Sequence, residues 1–140
     1  MKQLFKAIYN QFTSTSTGGR KAIYTDMGGR MYLLEAPENA TFPYMTYQIV
    51  SASHEWNFNT DYEDITVQFN IFSDNVLPTS VMTSYADLDT CFNNARLNTS
   101  GYSHLFMVRT NYFPQKYSLD IPGKSVWHYA VDYDLYLTKI

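Results

Sequence analysis

The chain has 140 residues, a length typical of a single domain, 1–140, whose hydrophobic core needs no disulfide or metal support. Its net charge of -3 gives no basic footprint for nucleic-acid binding, and its single cysteine excludes an internal disulfide. Charged residues make up only 16% of the chain, and 13 tyrosines accompany them, a composition that favours association with other proteins or with sugars.

The first half of the chain predicts one helix followed by strands. Apolar residues recur at helical spacing over 2–13, which indicates an amphipathic helix. Two short strands turned at Asp26–Gly29 are expected next. The main sheet then begins with strands at 44–53 and 65–72, which we expect to pair as a hairpin with a long arm.

The second half predicts another helix and two more strands. Helical spacing of apolar residues runs from about Thr79 to Ala95, and a strand over 102–113 ends at Pro114. The segment 125–140 alternates strictly between apolar and polar residues, which is typical of a long strand with two different faces. The order α-β-β-β-β-α-β-β indicates an α+β domain in which two helices pack on one face of a mostly antiparallel sheet.

The polar face of the last strand holds the best acid–base candidates, His128, Asp132 and Asp134. Residues four apart on one strand are about 13 Å apart, so His128 and Asp132 cannot touch directly. The pattern therefore favours a strand surface that faces solvent or another protein over a catalytic pocket.

The arm between the two hairpin strands carries aromatic residues among polar ones. Trp56, Phe58 and Tyr62 are candidate anchors for a protein partner if they are exposed. The alternative is that the aromatic side chains fold back onto the sheet.

No motif in the sequence predicts catalysis, a cofactor or a metal. The three histidines, His54, His104 and His128, do not lie at metal-ligand spacing, and Cys91 falls on the apolar side of a helix. The start of the chain resembles neither a signal peptide nor a membrane span, so we expect synthesis in the cytoplasm of the producing cell and no membrane contact.

Three segments together resemble the tail-completion proteins of long-tailed phages, the head-to-tail joining and tail-terminator group. They are "GGRMYLLEAPE" (Gly28–Glu38), "FPYMTYQIVS" (Phe42–Ser51) and "ITVQFNIFSD" (Ile65–Asp74). The resemblance covers most of the chain in its layout, although the stretch 20–27 is additional and the C-terminal half is longer and more aromatic.

This resemblance implies a non-enzymatic virion protein of the tail or neck, made in the host cytoplasm. Such proteins form a ring, usually six-fold, that caps the head-proximal end of the tail tube and offers a docking surface to the head connector or stopper. DNA passes through the ring without being read. The polar face with His128, Asp132 and Asp134 would then line the channel or a subunit interface, and the aromatic arm would reach a neighbour.

Two other classes of function stay open at this stage. Another neck or tail protein, such as a connector, a stopper or a tube subunit, would share the ring-forming class. A carbohydrate-binding module would use Trp56, Phe58 and surface tyrosines as stacking platforms. A small cytoplasmic enzyme ranks below both, because no acid, base and nucleophile converge.

Overall fold

The computed structural model describes residues 2–16, 19–57, 60–74, 79–97, 102–118 and 125–139. Three helices and seven strands follow one another in these residues. In chain order they are α1 (Lys2–Thr13), β1 (Thr15–Ser16), β2 (Gly19–Arg20), α2 (Ala22–Met27), β3 (Met31–Leu33), β4 (Tyr44–Asn57), β5 (Thr60–Ser73), α3 (Thr79–Phe92), β6 (Tyr102–Ser118) and β7 (Ser125–Lys139).

The main sheet has five strands in the order β3-β4-β5-β7-β6. Only β3 pairs in parallel, with Met45–Tyr47 of β4, and the other three pairs of neighbours are antiparallel. Two hairpins, β4–β5 and β6–β7, therefore meet along the β5–β7 pair, and α3 connects them in the chain. The predicted class is confirmed: the domain is α+β with a mostly antiparallel sheet.

The segment predicted as the first of two short strands is instead the helix α2. Ile23 and Met27, four residues apart, are both fully buried, which places one side of a short helix against the core. Gly28 ends the helix in the left-handed conformation at φ 60°, and its N–H donates to the Thr25 carbonyl at 3.1 Å. Residues four apart lie on one side of a helix and also on one face of a strand. Periodicity over only six residues therefore does not distinguish the helix from the predicted strand.

The helices pack on the face of the sheet that carries the apolar residues of β7. Every second residue of that strand is buried, from Tyr129 to Leu137. Phe69 of β5 stacks on Phe92 of α3 with 4.6 Å between ring centroids, and both rings are fully buried. This inner face of the sheet therefore forms the floor of the core.

A hydrogen bond and a ring contact help to attach α1 to this core. The side-chain amide of Gln11 donates to the carbonyl of Cys91 at 2.9 Å, which joins α1 to α3. The ring of Phe5 meets that of Tyr47 edge-on at 5.8 Å, over the β4 strand. None of the helices in the described part of the chain is long and apolar enough to cross a membrane.

Candidate functional site

The outer face of the sheet, turned away from the helices, collects polar side chains from three strands. Because side chains alternate along a strand, burying Val131, Tyr133 and Leu135 turns Asp132 and Asp134 to the opposite side. His128 shares this side, so the three residues predicted from the last strand do lie on one face. We call this the open face; it consists of the outward residues of β4, β5 and β7.

Hydrogen bonds across the strands fix both aspartates of the open face. Gln48 donates to Gln68 at 3.3 Å, and Gln68 donates in turn to Oδ1 of Asp132 at 3.0 Å. One row further along, the hydroxyl of Thr66 donates to Oδ1 of Asp134 at 2.8 Å. The carboxylates are therefore held in place as acceptors, about 7 Å apart along β7.

The open face is acidic in its described part. Asp64 lies opposite Tyr136 in the β5–β7 pair and adds a third carboxylate to those of Asp132 and Asp134. The described side chains of this face include no lysine or arginine. The charge of Asp134 is the main cause that raises the pKa of the Tyr136 phenol above its usual value, ahead of burial and the charge of Asp64. The carboxylates thus give this face a negative potential, which acts on the phenol of Tyr136.

His128 sits in a different part of the open face from the aspartates. Its Nε2 lies 2.7 Å from Oδ1 of Asn70, and its ring stacks on Phe72 with 4.5 Å between centroids and 6° between planes. Burial lowers the pKa of the imidazole, which favours its neutral form. Asp132 is four residues away on the same strand, so the structure does not form an acid–base pair from them.

The three predicted anchor residues lie at the end of the β4–β5 hairpin or beyond the described part. Trp56 of β4 pairs with Asp61, and Tyr62 of β5 pairs with Glu55 and, on its other side, with Thr138 of β7. Phe58 lies outside the described residues. The arm is therefore strand almost to its tip, and its β5 half is covered on one edge by β7.

The chemistry available to the described residues is limited. They contain no group of three or more histidine, cysteine, aspartate or glutamate side chains that could hold a metal ion. Cys91 is buried, and burial raises the pKa of its thiol to about 12, so it is a poor nucleophile near neutral pH.

A charged cluster at β6, missed by the sequence analysis, joins α3 to the edge of the sheet. The guanidinium of Arg109 lies 3.3 Å from Oδ2 of Asp89 and contacts the hydroxyl of Tyr85. It also lies 5.8 Å from the ring centroids of both Tyr85 and Tyr112. The hydroxyl of Tyr133 donates to the other oxygen of Asp89 at 3.1 Å. A lone arginine within the apolar run "LFMVRTNYF" was the only signal of this cluster in the sequence.

A second feature, also missed, is a pair of carboxyl groups between α2 and α3. Burial, and after it the hydrogen bond and the charge of Asp87, raise the pKa of Asp26 to about 7. Oδ2 of Asp26 is buried and no described residue donates to it. The two aspartates are 61 positions apart in the printed sequence, so no local pattern could have paired them.

The fold can be compared with known proteins. The sequence matches no protein-family model, and it matches no curated protein. Among solved structures, it is similar to a chain of a structure described as the virion of a native gene transfer agent particle, with a TM-score of 0.73. The two chains share a fold. The match covers 98% of this chain and 96% of that one at 11% sequence identity, so the likeness extends from end to end but is one of architecture.

Proposed function

We propose that this protein is a structural, non-enzymatic component of the virion of a long-tailed bacteriophage. The observation that carries the proposal is the end-to-end match to a chain of a virion particle, with 96% of that chain covered. The resemblance of the segments between Gly28 and Asp74 to phage tail-completion proteins supports the same proposal.

Within the virion, we propose the role of a tail terminator. Copies of the chain, six in the usual arrangement of such proteins, form a ring on the head-proximal end of the tail tube. The ring stops the growth of the tube and presents a surface to the head connector or stopper. The protein is made in the host cytoplasm and incorporated during assembly.

The open face supports a position toward the channel of this ring. Asp132 and Asp134 are fixed by Gln68 and Thr66, and no described basic side chain of that face accompanies them. A wall of fixed carboxylates repels the phosphates of DNA, so it offers passing DNA no site at which to bind. Burial lowers the pKa of His128, which disfavours a positive charge at this position.

The assembly role is tested by electron microscopy of particles whose gene for this chain has an early stop codon. DNA-filled heads beside detached tails of uncontrolled length are the expected result. Detached tails of normal length would limit the role to joining, and intact tailed particles would show that the proposal is wrong.

The channel position is tested separately with a charge reversal. Asp134→Lys should leave particles assembled but lower the DNA they deliver by about tenfold or more, because each copy adds a phosphate-binding cation to the channel. Asp74→Lys, at an exposed position after β5, makes the same change of charge and is the matched control. Equal DNA delivery by the two variants would show that the open face does not line the channel.

A further inference from the structure

The two edges of the main sheet expose apolar and aromatic side chains in the described part of the chain. At the β3 end, Leu33, Leu34 and Val50 are 42%, 63% and 46% exposed. At the β6 end, Tyr112 is 49% exposed and stands beside Tyr85 with 5.2 Å between their ring centroids. These two surfaces lie at opposite ends of the strand order, so one molecule cannot bring them together.

The two edges also carry opposite charges. Glu35 directly follows Leu34 and Glu38 lies four residues after it, and both are exposed. Arg30, the basic residue before β3, is directed toward the carbonyl oxygens of Pro43 and Phe42, at 3.0 and 3.5 Å. We call the surface formed by Leu33, Leu34, Glu35, Glu38 and Val50 the leucine edge.

The opposite surface is basic. Arg96 is exposed beside β6, where its backbone forms an isolated bridge with Phe106, and the guanidinium of Arg109 lies 5.8 Å from the ring centroids of both Tyr85 and Tyr112. Asp89 offsets part of the charge of Arg109, whereas the side chain of Arg96 is exposed. We call the surface formed by Tyr85, Arg96, Arg109 and Tyr112 the tyrosine edge.

The backbone of the tyrosine edge does not accept another strand. The outward N–H of Arg109 already donates to the side chain of Asn93, and that of Tyr112 to the side chain of Asn111, each at 3.0 Å. Alternate residues of a strand direct their N–H groups to the same side, so the next outward position is 114, where proline has no N–H to offer. A partner must therefore bind this edge through side chains and not by extending the sheet.

We propose that the tyrosine edge of one copy of this chain docks on the leucine edge of the next copy. Arginine and tyrosine are the residues that most often anchor protein interfaces, and exposed leucines with flanking glutamates offer them an apolar surface with the opposite charge. The contact joins two different surfaces of the same chain, so it propagates from copy to copy and closes into a ring when the rotation allows. Closure rests on the proposed ring function, whereas the pairing of the two edges does not.

The pairing is tested with cysteines placed in both edges. Leu34→Cys and Tyr112→Cys are made in separate proteins, mixed and oxidised; the native Cys91 is buried. A disulfide-linked dimer should form in the mixture and not in either variant alone. Leu34→Cys mixed with Tyr136→Cys, a position of similar exposure on the open face, is the matched control. Linking no better than in this control would overturn the proposal.

A charge exchange gives an independent result. Arg96→Glu and Glu38→Lys should each lose self-association, and a mixture of the two should regain it, because both kinds of contact in the mixture pair opposite charges. Wild-type association of either variant alone would contradict the proposal.

The two proposals fail in different ways. If rings are seen but the edge cysteines do not link, the ring function stands and the edge pairing is wrong. If a variant that carries both Leu34→Cys and Tyr112→Cys links into open chains, the edge pairing stands and the ring function is wrong.

Discussion

The carboxyl pair of Asp26 and Asp87 predicts that stability falls as the pH rises toward neutrality. The pKa of Asp26 is raised from 3.8 to about 7 in the folded chain. Between these two values the folded chain holds a proton that the unfolded chain has released, so the free energy of unfolding decreases with pH across that window. A rise of about 3 units in the pKa corresponds to about 4 kcal/mol in the free energy of unfolding if solvent screening is ignored. The carboxyl is only partly buried, and screening by solvent lowers the expected effect to about 1–2 kcal/mol.

The prediction is measured by urea unfolding of wild type and Asp26→Asn across this pH range. The amide keeps the size of the side chain and its hydrogen-bonding capacity but cannot ionise. Near pH 4 the free energies of unfolding of wild type and variant should be similar. At about pH 8 that of the variant should exceed that of wild type by about 1–2 kcal/mol. Asp74→Asn, which removes an exposed carboxylate, is the control. Parallel stability curves for wild type and Asp26→Asn would refute the reasoning.

Three further predictions concern the core. Tyr133→Phe should lower the free energy of unfolding by about 1–2 kcal/mol, because it deletes the hydrogen bond to Asp89; an unchanged urea midpoint would contradict that bond. Phe69→Ala should cost about 3–5 kcal/mol, since the ring is fully buried against Phe92; a loss below about 1 kcal/mol would mean that this ring is not part of the core. Cys91 should resist alkylation in the native protein and react on unfolding, as followed by mass spectrometry; rapid labelling of the native chain would show that the thiol is accessible.

The parts of the fold with long periodic patterns were predictable from the sequence. The helix predicted over 2–13 is α1, Lys2–Thr13, because apolar residues repeat through three turns. The last strand was predicted for the same reason from its alternation. The short helix α2 was missed because the spacing of Ile23 and Met27 also fits a strand, and only Gly28, recognised as a helix end, distinguishes the two.

The open face was predictable only in part. Alternation alone placed His128, Asp132 and Asp134 on one side of a strand, as the structure shows. It could not supply their partners, because Gln68 and Thr66 lie 64 and 68 positions earlier in the chain. Pairings of that range depend on which strands become neighbours, and local patterns do not record this.

The junction of the two hairpins has a consequence for how the chain selects one fold. Each hairpin can form from contacts close in sequence, whereas β5 and β7 must find each other across α3. If these strands slipped by one residue, Gln68 and Thr66 would face apolar neighbours and the aspartates would be left unpaired. The bonds from Gln68 to Asp132 and from Thr66 to Asp134 therefore favour the native alignment of the two halves: a one-residue slip breaks both of them, even where their net contribution to stability is small.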